Sequence, residues 1–211
     1  KNLAKICSEN NFQLCTHAIG DRGNQIVLDI YSKYTQNKNL RWRIEHAQMV
    51  SEEDISKFKK YNILPSMQPS HCTSDMKWIE NRIGIDRTKL ISRWKTFLDM
   101  GIPIPGGSDC PIEDGNPLFE IFAAVTRKDH SGWPKNGWHP EQCVDRISAL
   151  KMFTEWAAYG SFSEFKRGKI KVGYDADITV LSNDLTTCNE KDILKTEVVM
   201  TIVNGRIVYQ H

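Results

Sequence analysis

Three polar residues each stand just past a short strand-like run. His17 follows Phe-Gln-Leu-Cys-Thr, His46 follows Arg-Trp-Arg-Ile-Glu, and Asp109 follows Ile-Pro-Ile-Pro-Gly-Gly-Ser. Two imidazoles and a carboxylate form a donor set suited to a divalent metal such as zinc, with one position left open for water. A metal lowers the pKa of bound water to roughly 7, and Asp109 would then accept that water's proton and pass it to a leaving group. Each residue has a plainer reading beside this one. A single His is more often a hydrogen-bonded structural residue, and Asp109 could cap a helix that Pro111 begins. Their common position at strand ends favours the site, because parallel strands would gather all three at one mouth of a sheet. His71, in Gln68-Pro-Ser-His-Cys-Thr-Ser-Asp75, falls on a predicted long loop, where it would contact substrate, polarise a carbonyl or simply face solvent. Cys72 and Cys110 adjoin these candidates, which raises a nucleophilic thiolate as another chemistry, but no His is close to either in the way a Cys nucleophile needs.

The elements that must position these residues follow from periodicity and turn signals. Residues 1–10 read as a helix end, and strands are expected at 12–16, 41–45, 63–67 and from Ile102 to the Gly106-Gly107 turn. Helices are expected at 21–34, with Asp21 as N-cap, and at 51–61, opened by Ser51-Glu-Glu-Asp54 as a capping box. Further helices are expected at 88–100, 117–127 and 144–159, with loops at 68–86 and 129–141. The second loop holds Trp133, Trp138 and His139 and has the reach to cover a site. Strand then helix, four times over, is the pattern of parallel βαβ units and amounts to half of a (β/α)8 barrel. A doubly wound sheet is the alternative, although no Gly-rich dinucleotide loop occurs. Beyond residue 164 the chain turns β-rich, and Asn204-Gly205 between two apolar runs is a hairpin signal. The division is therefore 1–164 for the α/β part and 165–211 for a small β module.

The gross numbers narrow the function classes. A net charge of +2, with acidic and basic residues interspersed, argues against a nucleic-acid surface. No apolar run is long enough to span a bilayer, and no secretory leader is evident. The six cysteines lack regular spacing and are expected to be reduced, which points to the cytoplasm. The chain starts at Lys1 in what reads as mid-helix, as a piece of a longer protein would.

The motifs also resemble a known family. Thr-His-Ala-Ile-Gly-Asp-Arg (16–22), Arg-Ile-Glu-His-Ala-Gln (43–48), Met-Gln-Pro-Ser-His (67–71) and Gly-Ser-Asp-Cys-Pro (107–111) are similar to those of the amidohydrolase superfamily, nearest its family 3, the YtcJ-like and N-substituted formamide deformylase-like branch. The tail from Gly168 to Leu181, with Val203 to Tyr209, resembles that family's C-terminal β-sandwich segment. The resemblance implies the C-terminal half of a metal-dependent hydrolase barrel, strands five to eight, acting on amide or formamide C–N bonds of small molecules. It implies His17 and His46 as ligands after strands five and six, Asp109 as the catalytic Asp after strand eight, and His71 as a substrate-binding residue. The family's His-x-His and its first four strands have no counterpart here, so the chain alone is expected to be inactive. It is also expected to pair with a second copy through an exposed apolar inner face. The competing reading is a binding or scaffolding module that kept the fold and lost the chemistry.

Overall fold

A computed structural model describes residues 1–211. Helix α1 (Asn2–Glu9) leads into strand β1 (Cys15–Ala18), then α2 (Asp21–Tyr31), β2 (Arg43–His46), α3 (Glu52–Lys60) and β3 (Leu64–Ser66). Four helices follow: α4 (Pro69–Asp75), α5 (Ile79–Ile83), α6 (Ile85–Thr88) and α7 (Trp94–Asp99). After the Pro-Gly segment come α8 (Pro117–Thr126), α9 (Arg146–Met152) and α10 (Glu155–Gly160). The last elements are β4 (Ile178–Leu181), α11 (Glu190–Ile193), β5 (Val198–Val203) and β6 (Arg206–Gln210).

The first three strands form a parallel sheet in chain order, with Cys15 opposite Arg43, His17 opposite Glu45, and Ala18 opposite His46. The Pro-Gly segment joins the β3 side. Met67 N–H donates to the Pro105 carbonyl at 3.0 Å, and Gly107 N–H donates to the Met67 carbonyl at 3.1 Å. This fourth position is a single bridge between Met67 and Gly106, not a regular strand. Pro103 and Pro105 lack the N–H groups a ladder needs. Gly106 is required sterically: a Cβ there would come within 2.9 Å of the Phe153 ring and 3.0 Å of Met152 Cβ.

Alternation along the strands divides the sheet into two faces. Thr16 and Ile44 point to the helices, where the Tyr31 hydroxyl donates to Thr16 Oγ1 at 2.6 Å and Ile44 is fully buried. One continuous core runs beneath, built around Trp42, Phe58, Trp94 and Phe97, with the two Phe rings edge to face at 4.9 Å. The opposite face carries Cys15, His17, Arg43 and Glu45, the last two joined by an ion pair at 2.8 Å. Along β1 and β2 the exposed side chains of this face are polar, and Leu64 of β3, on the same face, is buried.

Several expected boundaries move. Strand β1 starts later than predicted, which puts His17 inside it. Residues 88–93 do not continue a helix: Ile91 bridges to Met49, and Ser92 N–H donates to the Gln48 carbonyl at 2.6 Å. The helix expected at 144–159 breaks between α9 and α10 at Phe153, the residue that closes on Gly106. The long loop after β3 is instead helical from Pro69, a residue suited to a first helical turn. Asp109 caps nothing; α8 is capped by Asn116, whose side-chain oxygen accepts from Leu118 N–H at 3.0 Å. Gly20, not Asp21, is the N-cap of α2. The Ser51 cap forms as read, with Asp54 N–H donating to Ser51 Oγ at 3.2 Å.

Strands β4, β5 and β6 make a separate antiparallel sheet in that order, while residues 168–175 form turns rather than strand. Asn204 and Gly205, at φ 49° and 74°, turn the final hairpin with the two positive φ values of a type I′ loop. All six cysteines are free, and no helix is long and apolar enough to cross a membrane.

Candidate metal centre

The carboxyl ends of β1, β2 and the Pro-Gly segment lie side by side, and α4 starts directly after β3. Three ligand atoms, one each from His46, His71 and Asp109, fall within 4.8 Å of one another. His17 packs against this group, its ring edge-on to His46 with centroids 4.5 Å apart. The His46 and His71 rings stack at 5.5 Å. Of the residues expected to bind metal, His46 and Asp109 converge directly. His71, expected on a loop as a substrate contact, joins them because α4 carries it inward, whereas His17 is outside the three-atom group.

Local backbone aims these side chains. His46 and Asp109 both adopt left-handed conformations, with φ of 75° and 57°. Non-glycine residues rarely sit there, and such strain concentrates at functional sites. At His46 the strand ends and the ring turns toward the mouth, buried to 7% exposure. Asp109 stays exposed on the turn that Gly106 anchors.

Hydrogen bonds set the donor atoms. Gln68 Oε1 lies 2.8 Å from His46 Nδ1. A carboxamide oxygen only accepts, so Nδ1 carries the proton and Nε2 is left with its lone pair free. His71 Nε2 is buried without any partner, an orphaned atom that a cation would satisfy. Burial pushes the His46 imidazolium down in pKa by more than the Gln68 bond holds it up, and the neighbouring His17 and His71 push the same way. The neutral imidazole that a metal needs is thus the favoured form. These residues fit a divalent cation.

A second layer, which the sequence did not announce, surrounds the rings. Gln48, two residues past His46, donates from Nε2 to Asp75 Oδ2 at 2.5 Å. Asp75 sits one helical turn after His71 on α4; burial raises its carboxyl, partly countered by Gln48 and by charge on His71. The one available signal was the i, i+4 spacing of His71 and Asp75, visible only if the loop had been read as a helix. Behind α4, the Glu120 carboxyl of α8 is fully buried and accepts the Ser70 N–H at 2.8 Å. Its other oxygen has no partner, and burial, with Glu113 adding, pushes it up to about 7.

The other candidates lie elsewhere. Cys72 is fully buried and its thiol is pushed up by burial, and Cys110 is exposed beside Gly115, so neither is set up as a thiolate nucleophile. The Trp-rich loop packs as a wall: Trp138 flanks the buried Arg127 guanidinium, which stacks at 4.4 Å over Trp94. His139 pairs with Thr88 at 3.0 Å and with Glu141 at 3.3 Å, not with the cluster.

A profile of the amidohydrolase family matches residues 1–209, and the chain belongs to that family. It is 37% identical over 210 residues to the YtcJ protein of Bacillus subtilis (strain 168), covering 99% of this chain and 39% of that protein. It is 25% identical to an N-substituted formamide deformylase of Arthrobacter pascens, again over 99% of this chain and 39% of that one. Among solved structures, an uncharacterized metal-dependent hydrolase from Pyrococcus horikoshii OT3 superposes with a TM-score of 0.77 at 27% identity, covering 90% of this chain and 38% of that one. The chain therefore spans about two fifths of the length of these relatives.

Proposed function

We propose that this chain carries one side of the active centre of a metal-dependent amidohydrolase that cleaves non-peptide C–N bonds in small amides or formamides. The four parallel strand positions and their helices, residues 1–164, are then part of a (β/α)8 barrel, and residues 165–211 belong to an accompanying β-sandwich. The observation that carries this reading is the convergence of His46, His71 and Asp109, with His46 Nδ1 tied to Gln68 and His71 Nε2 unpartnered.

In this reading His46, His71 and Asp109 would hold a divalent metal, zinc by ligand type, with His17 as a further ligand beside His46. When bound, the metal supplies the positive charge that makes water nucleophilic at neutral pH. The Asp109 carboxylate accepts the proton of the attacking water and delivers it to the departing nitrogen. Water and amide thereby become carboxylate and amine. Gln68 holds the His46 ring in one tautomer, and Gln48 with Asp75 steadies α4 beneath His71.

Metal content of the purified protein tests the reading. Near-stoichiometric divalent metal, lost in His46→Ala and in Asp109→Ala, is the expected result, with His71→Ala and His17→Ala ranking the two remaining histidines. Failure of the unsubstituted protein to take up zinc or manganese in equilibrium dialysis would overturn it.

A further inference from the structure

We infer that a polar cavity beside the His/Asp cluster is the specificity pocket of this site and takes a cationic amine on the substrate, with Glu113 as its counter-charge; the inference rests on the hydrolase reading above. The cavity has a volume of about 410 Å³, and none of the eight residues that line it is apolar. Two of its lining residues stand close in the chain to the cluster. Ser70 of α4 immediately precedes His71, and Glu113 lies on the turn that begins with Asp109.

The charges in the cavity decide what it accepts. Lys77 is already paired with Asp129 at 2.8 Å. Burial alone would raise the Asp129 carboxyl, yet Lys77 together with the donors of Ser131 and Trp133 outweighs burial and holds it down at about 2. Ser131 Oγ donates to that carboxylate at 2.5 Å and Ser131 N–H at 2.9 Å. The charge of Asp129 is thus committed within the wall. Glu113, half-buried, makes neither an ion pair nor a hydrogen bond with the protein. The cavity is left with one uncommitted anion and the hydroxyls of Ser74 and Thr73 as acceptors. Thr73 Oγ1 spends its proton on the Ser70 carbonyl at 3.0 Å, leaving its lone pairs to the cavity.

Three classes of substrate group can be compared. An anionic group would meet Glu113 and Asp129, with Lys77 already paired and the His130 ring packed against Phe119 at 4.3 Å. An alkyl or aryl group would meet no apolar residue and would strip water from hydroxyls and carboxylates without replacing their hydrogen bonds. A protonated amine offers three donors, matching one carboxylate and two hydroxyls. The geometry favours the amine.

The test uses two formamides of equal length, N-formyl-1,3-diaminopropane and N-formylbutylamine, with the full-length, metal-loaded protein. Hydrolysis is measured as kcat/KM, and binding of 1,3-diaminopropane and of uncharged 1-butanol is measured by calorimetry. The aminoalkyl compound should be favoured by about tenfold or more, the scale of one charge-assisted hydrogen bond. Glu113→Gln should reduce that ratio about tenfold, whereas Lys77→Met, which frees the charge of Asp129, should raise it. The opposite signs separate the effect from simple misfolding. Equal or better use of the butyl compound, or a ratio indifferent to both substitutions, would overturn the inference and leave the hydrolase reading standing. If neither formamide is cleaved while the diamine still binds in a Glu113-dependent way, the pocket stands and the hydrolase reading falls.

Discussion

The two sheets of this protein are built on opposite terms. The parallel sheet is short-stranded and backed by helices on one face, and its carboxyl ends bring titratable groups together. The antiparallel sheet is longer-stranded, and β6 is exposed along its whole length, with Ile207 at 57% and Val208 at 62% exposure. The first is held by tertiary packing and pays out in chemistry; the second is held by its own ladder and one tight turn. A parallel strand pair needs a crossover to connect it, and the crossover helices supply both the core and the loops that form a site. A hairpin needs only a turn, so it can form with little core and with no convergence of polar side chains.

Substitutions should therefore act very differently in the two regions. The largest loss is expected at the aromatic contact beneath the parallel sheet, where Phe58→Ala should cost about 3–5 kcal/mol in urea denaturation. A loss below 1 kcal/mol would mean that the edge-to-face pair with Phe97 is not central to the core.

Next is the buried Glu120. Burial raises its carboxyl from the ordinary 4.5 to about 7, so the folded state keeps a proton that the unfolded chain releases between those two values. The contribution is nil below the lower value, becomes destabilising as pH rises, and levels off near about 3 kcal/mol above the higher one. Glu120→Gln should abolish that slope, giving a variant more stable than the parent at pH 8 and similar to it at pH 4. Parallel stability curves for the two proteins would contradict the assignment.

A smaller effect falls on the metal centre. Gln68→Ala leaves all three candidate ligands in place but releases His46 Nδ1, and should weaken metal affinity about 10- to 100-fold in competition with a chelator. Affinity should also fall as pH drops through the lowered His46 range, because the proton and the metal compete for Nε2.

The smallest effects belong to the antiparallel sheet. Gly205→Ala, at φ 74°, should cost about 1 kcal/mol through strain in the turn. Exposed Val208→Thr should stay within about 0.5 kcal/mol. A large effect at Val208 would show that this sheet is covered in the folded protein.

The outline of the parallel sheet was legible because strand and helix periods alternate and because turn residues punctuate them. The Ser51 cap and the Asn204-Gly205 hairpin were legible for the same reason: each is local chemistry within four residues. His71 was misplaced because short helices such as α4 carry too few residues to display a period, and only Pro69 at its start gave a hint. The break at Phe153 was equally hidden, since it answers a close approach to Gly106 from nearly fifty residues away.

By itself the sequence determined the family, the order of the strands, and the four residues that meet or border the centre, His17, His46, His71 and Asp109, because motifs and periodicity are properties of neighbouring residues. Only the tertiary structure brought a ligand atom of His71 within 4.8 Å of those of His46 and Asp109 and set the His17 ring beside that group. It alone decided that Gln68 fixes the His46 tautomer, that Glu120 is buried with one oxygen unpartnered, and that the exposed side chains along the open face of β1 and β2 are polar. Each of these depends on which side chains share a dehydrated space, and that is set by packing between segments remote in the chain.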